Sequence, residues 1–218
     1  MDDVNYMLVW IAVQGLSPDK ALAALEMEFL ESAEAHEVPG WPDFLNRRDF
    51  HDRIFMGHLP EGWLLLFGNL DEEQKDLLLE LARFGPAFAG DISRIGSYAE
   101  GRAYKDGKEA WSVDYDLESR GDGDLLLVEG GLPANLAVIV AEARAAEAEG
   151  RGSDIGVDVL FEVPGKLSKA ICGFSPHEDP PEGFRWSMLQ RIGGEPEPIG
   201  SPEPTEKRGF FARLFGRG

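Results

Sequence analysis

"YAEGRAYKDGKEAWSVDY", residues 98–115, sets two strand-like arms around Asp106-Gly107. An Asp-Gly pair between such arms is what a two-residue type I′ turn selects, because both central positions need positive φ. The stretch therefore predicts an antiparallel hairpin. Counting outward from the turn opposes Lys105 to Lys108, Tyr104 to Glu109, Arg102 to Trp111, Glu100 to Val113 and Tyr98 to Tyr115. Opposed residues share a face. This register gathers Tyr98, Arg102, Tyr104, Trp111 and Tyr115 on one face and leaves small residues, with Asp114 and Asp116, on the other. Three of the four tyrosines of the chain fall here. An arginine beside a tryptophan is a residue pairing common at binding hot spots; the competing reading is a half-buried sheet favoured by aromatic strand propensity.

Outward from the hairpin, "NYMLVWIAV" (Asn5–Val13) and "GWLLLFGN" (Gly62–Asn69) read as strands buried on both faces. "SPDKALAALEMEFL" reads as a helix with Ser17 as N-cap, Pro18 at its first position and Leu22, Leu25 and Phe29 on one stripe. "DEEQKDLLLELARFGP" reads as another, with Asp71 and Gln74 as a capping box and Gly85-Pro86 as the stop. Strand-like runs occupy about Asp91 to Glu129. After Pro133 a helix places Leu136, Ile139, Val140 and Ala143 on one side. "VDVLFEVP" suggests a strand, "GKLSKAI" a short helix and "FRWSMLQRI" a last strand. Helices and strands mix without strict alternation, so the expected class is α+β: one domain over residues 1–194 with a mixed or antiparallel sheet packed by helices. Residues 195–206 form a linker in which eight of twelve residues are proline or glutamate, too polar for a core. Residues 207–218 form a flexible basic aromatic tail.

The 218 residues carry 21 basic and 40 acidic side chains, a net charge of −19. Residues 1–194 hold 17 and 36 of them, so the acidity belongs to the body, and the four of each kind beyond cancel. Such a body repels phosphate backbones, which argues against direct nucleic-acid binding, and steers in a cationic protein partner. Acidic surfaces also simply keep proteins soluble. Cys172 is the only cysteine, which excludes an intramolecular disulfide and a Cys-rich metal site. The start of the chain, "MDDVNYMLVW", has acids where a signal peptide needs cations, so a cytoplasmic location is expected.

No catalytic signature stands out. His36, His51, His58 and His177 are scattered, and "RDFHDRIFMGH" spaces its histidines by seven, not the four of a zinc helix. Asp114, Asp116, Glu118, Asp122 and Asp124 mimic a calcium loop, but Ser119 stands where glycine is needed and Leu125 where the bidentate glutamate belongs. "GRGSDIG" follows a helix and has Ile155 at its third glycine position, so it fails as a dinucleotide loop. No metal and no cofactor are expected.

The segments "AYKDGKEAWSVDYD", "GGLPANL" and "VDVLFEVPGKLSKAICGFSPHED" resemble a loose set of small bacterial proteins through Trp111, Asp116, Pro133, Asp158, Phe161, Pro164, Gly173, Phe174 and His177. Tyr115 stands where that pattern often has histidine. Some such acidic proteins resemble immunity partners of secreted toxins, which implies a non-catalytic binding module that neutralises a cationic partner. The expected contact residues are Tyr98, Arg102, Tyr104, Trp111, Asp114, Tyr115, Asp116 and His177. Two alternatives stay open: a hydrolase-type enzyme using histidine and carboxylate chemistry, and a peripheral adaptor that docks its tail on a partner or a membrane surface through Phe210, Phe211, Arg213, Leu214 and Phe215.

Overall fold

The computed structural model describes residues 7–34, 53–68, 70, 76, 79–80, 83, 85–93, 98–117, 125–150 and 159–192. The strands are β1 Met7–Gln14, β2 Met27–Glu34, β3 Ile54–Leu59, β4 Trp63–Gly68, β5 Ala87–Ser93, β6 Tyr98–Lys105, β7 Lys108–Asp116, β8 Leu126–Gly130 and β9 Arg185–Arg191. The α-helices described from end to end are α1 Pro18–Leu25, α2 Ala134–Ala148 and α3 Val163–Cys172, and a 3-10 turn at Pro60–Gly62 joins β3 to β4. The nine strands among the described residues join one sheet in the order β2-β9-β3-β4-β1-β5-β6-β7-β8. Every pairing is antiparallel, so the α+β expectation resolves to a wholly antiparallel sheet.

The sheet buries both faces. On one, Trp10, Phe55, Phe67, Phe88, Trp111, Val113, Tyr115, Trp186 and Met188 pack beneath α2 and α3. On the other, Val9, Ile11, Val13, Ile54, Met56, Leu64, Leu66 and Leu189 pack with Ala21 and Leu25 of α1. This is why β1 and β4 read as unbroken apolar runs: successive side chains alternate faces, and each face is covered.

Glycines let α3 approach. Side chains added at Gly90 and Gly101 would meet the Trp10 ring at 2.1 Å and the Phe88 ring at 2.8 Å, and Pro164 of α3 lies 3.3 Å from the Gly101 position. In that hollow the Trp10 indole N–H donates to Ser168 Oγ at 2.9 Å, and the Cys172 thiol donates to the Ser168 carbonyl at 3.2 Å. Burial pushes the thiol above its ordinary value of 9.0. A neutral, covered thiol is a poor nucleophile. Iodoacetamide at pH 8 is therefore expected to alkylate Cys172 at least ~100-fold more slowly in the native protein than in the unfolded chain, since attack needs local opening; equal rates would contradict this placement.

Two sequence expectations fail here. The helix expected to carry Phe29 stops at Leu25, because Glu26 takes the left-handed conformation at φ 53. Residues 27–34 become edge strand β2, paired with β9 from the far end of the chain, and Phe29 is 50% exposed. In "VDVLFEVP" the described part forms a turn at 159–162 and then opens α3, with Pro164 in its first turn, where a missing N–H costs nothing. The last strand and the helix after Pro133 stand as expected, with Leu136, Val140 and Ala143 buried. Of the helix expected after Asp71, only Asp76, Leu79 and Glu80 are described as helical.

Candidate functional site

The hairpin turn is as expected: Asp106 and Gly107 have φ 53 and 71, the type I′ pattern. Lys105 opposes Lys108 and Tyr104 opposes Glu109. Beyond that the register shifts, because Ala103, not Arg102, opposes Trp111. Ala110 is the extra residue of a β-bulge, and its carbonyl accepts a hydrogen bond from Gly131 N–H at 3.4 Å.

A slip of one residue moves a strand's side chains to the other face. Trp111 and Tyr115 therefore join Ala99, Gly101 and Ala103 on the face beneath α2 and α3, where they are 5% and 1% exposed. They are core residues, which corrects the expectation that they stand beside Arg102. His177 lies on their side of the sheet. Its ring is 5.8 Å from that of Phe161, which meets Tyr115 edge-on at 5.8 Å, and Gly165 of α3 leaves it room.

The opposite face of the hairpin holds Tyr98, Glu100, Arg102 and Tyr104 on β6, facing Asp116, Asp114, Ser112 and Glu109 on β7. Beside β6 run Ala87, Ala89, Asp91 and Ser93 of β5. Arg102 is the hub. Its guanidinium donates to Glu100 at 3.1 Å and Glu109 at 3.3 Å and pairs with Asp114 at 3.8 Å. Partial burial works to lower the Arg102 pKa, but the charge and hydrogen bond of Glu100, then Asp114 and Glu109, outweigh it and hold the group above its ordinary value. The Tyr104 phenol is lifted above 10.0 by burial and by Glu109, against the pull of Arg102, so it stays a neutral donor. Arg102 remains 38% exposed and Asp114 24%. The patch is thus a solvent-reachable set of carboxylates fixed by one cation and bounded by two tyrosines. The acids exceed the cation, so the patch has a net negative field that favours a cationic ligand.

The remaining candidates separate. His58 is exposed on β3, opposite Leu64 of the α1-side core, and so lies across the sheet from His177. The two do not form a shared acid–base site. His36 and His51 lie outside the described residues, as do Glu118, Asp122, Asp124 and the tail residues Phe210, Phe211, Arg213, Leu214 and Phe215. Among the described residues no group of three or more His, Cys, Asp or Glu is placed to hold a metal ion, and no helix is long and apolar enough to cross a membrane. A hollow of about 680 Å³ between α2 and α3 is lined by Ile139, Glu142, Ala146, Val159 and Lys166, with one acid set against one base. No protein-family model, curated protein or solved structure matches this chain.

Proposed function

We propose that the chain is a non-catalytic protein-binding module, of immunity type, that captures a cationic partner on the β6–β7 face carrying Arg102. The observation that carries this reading is the arrangement around Arg102: one guanidinium spans Glu100, Glu109 and Asp114, with Asp116 farther along the same face. The cation orders the carboxylates without cancelling them, so they stand at fixed spacing before a partner arrives. Preorganised polar groups lose less freedom on binding. Tyr98 and Tyr104 at the margins supply rigid amphipathic contact area. The body's charge of −19 adds long-range steering. A cytoplasmic setting fits the single buried thiol.

The test is capture from a native lysate by the immobilised full chain at low salt, with Glu100→Gln/Asp114→Asn as the comparison. We expect basic proteins on the wild type, release of most of them when salt is raised about tenfold, because screening shortens the Debye length about threefold, and several-fold less capture by the double variant. An identical set on both proteins, or none on either, would remove the reading.

A further inference from the structure

We infer that the Arg102 face is also the docking site of this chain's own C-terminal segment, Lys207–Gly218, which shields the face until a partner displaces it. The inference rests on the binding reading above and adds an occupant to the same face.

The sheet register supplies the geometry. One unbroken row of paired residues runs Leu189–Ile54–Gly68–Val9–Asp91–Glu100–Asp114–Leu127 across eight strands. Leu189 lies two residues before the end of β9, where the described chain turns toward its C-terminus. The chain thus leaves the sheet within a few ångströms of the row that holds Glu100 and Asp114. From β9 to β6 is five inter-strand steps, roughly 24 Å, and to β7 roughly 29 Å, at about 4.8 Å per step. The fifteen residues from Ile192 to Glu206 reach about 45 Å at the ~3.1 Å per residue of a proline-rich chain. That leaves slack to pass around α1, which covers the part of this face nearer β9.

The chemistry matches as well. Residues 207–218 carry Lys207, Arg208, Arg213 and Arg217 and no acid, with Phe210, Phe211 and Phe215 between them. Cations set among aromatics suit a surface of carboxylates bounded by Tyr98 and Tyr104. The four linker glutamates hold no such surface and share its sign, which discourages the linker from settling there itself. Tethering raises the local concentration of the tail to the millimolar range, so even a weak contact is populated. A free partner of higher affinity still displaces it. The face is thereby kept from indiscriminate association with cations, a cost that only a well-matched partner overcomes.

The experiment attaches a nitroxide to the full chain at Ala212→Cys, with Cys172 covered in the fold, and reads backbone amide intensities. We expect the Arg102, Ser112 and Asp114 signals to lose more than about half their intensity at low salt and to recover at about tenfold higher salt. They should also recover when Arg208→Glu/Arg213→Glu is added, a change that leaves the body untouched. Loss confined to the α2–α3 hollow or to β2, loss that fades on dilution as a second copy's tail would give, or no localised loss overturns the inference. Capture from lysate separates it from the binding reading. If the tail docks, the charge-reversed tail variant captures several-fold more than wild type. Localised loss with no capture by either supports tail docking while removing the partner reading; face-dependent capture without localised loss does the reverse.

Discussion

Replacing Gly90 by alanine is expected to cost about 3 kcal/mol or more, the upper range for overpacking a filled core, and to lower the melting temperature by roughly 6–12 °C for a domain of this size. The added methyl would stand 2.1, 2.4 and 2.5 Å from three carbons of the Trp10 ring. That ring cannot swing away. It is fully buried, bonded through its N–H to Ser168, and lies 5.8 Å from the ring of Phe174. Nor can the backbone of β5 retreat, since β1 and β6 hold it on both sides. The collision involves the six-membered part of the indole, so Trp10→Phe should relieve it. That single change itself costs about 2 kcal/mol through lost volume and the lost indole bond to the Ser168 hydroxyl, which keeps its 3.6 Å contact with Cys172 Sγ. The double variant should then be little worse than Trp10→Phe alone, a coupling of the size that contacting residues show. Gly131→Ala is the control, because nothing lies within 4 Å of its added carbon. Thermal melts of the four proteins decide the matter, and a Gly90→Ala melt within about one degree of wild type would mean that Trp10 is not held as described.

Local chemistry was legible in the sequence wherever a single residue type determined the backbone. Asp106-Gly107 announced its turn because few other pairs take positive φ twice. The apolar runs of β1 and β4 announced strands covered on both faces. What was not legible depended on distant partners. Leu22, Leu25 and Phe29 keep helical spacing, yet residues from Met27 onward find their hydrogen bonds in β9, some 160 positions later, and no pattern within the segment encodes that. In "VDVLFEVP" the β-branched residues pointed to a strand, while the tertiary placement of Pro164 against Gly101 made it a helix start. The acidic face was found in the right hairpin with the wrong membership. Tyr98, Arg102 and Tyr104 share a face as expected. Asp114 and Asp116 join them, and Trp111 and Tyr115 leave, because of one residue that carries no sequence mark.

That residue, Ala110, gives the second expected result. Its exposed side chain does nothing that serine could not do, so Ala110→Ser should leave stability within about 0.5 kcal/mol. Keeping Ala110 but pairing it would be ruinous. With the turn held by Asp106-Gly107, a ladder without a bulge sets Ala110 opposite Ala103 and Trp111 opposite Arg102. Trp111, Val113 and Tyr115, now almost wholly buried, would then turn away from α2 and α3, each forfeiting roughly 1.5–3 kcal/mol of burial. The summed loss, about 5–9 kcal/mol, matches the whole stability of an ordinary domain, so the fold keeps the bulge. Deleting Ala110 removes the bulge without that loss: Trp111 then follows Glu109 directly and still stands opposite Ala103, so every other pair of the hairpin is kept. What the deletion loses is the tie from Gly131 N–H to the Ala110 carbonyl, about 1 kcal/mol, and a melting temperature lower by roughly 2–4 °C is expected. Circular dichroism and tryptophan emission of the two variants provide the measurement. A deletion variant that folds with native tryptophan emission would show that burial of Trp111, Val113 and Tyr115 sets the offset and that the bulge only accommodates the surplus residue. Failure of the deletion to fold beside an unchanged Ala110→Ser would show instead that the bulge itself is required.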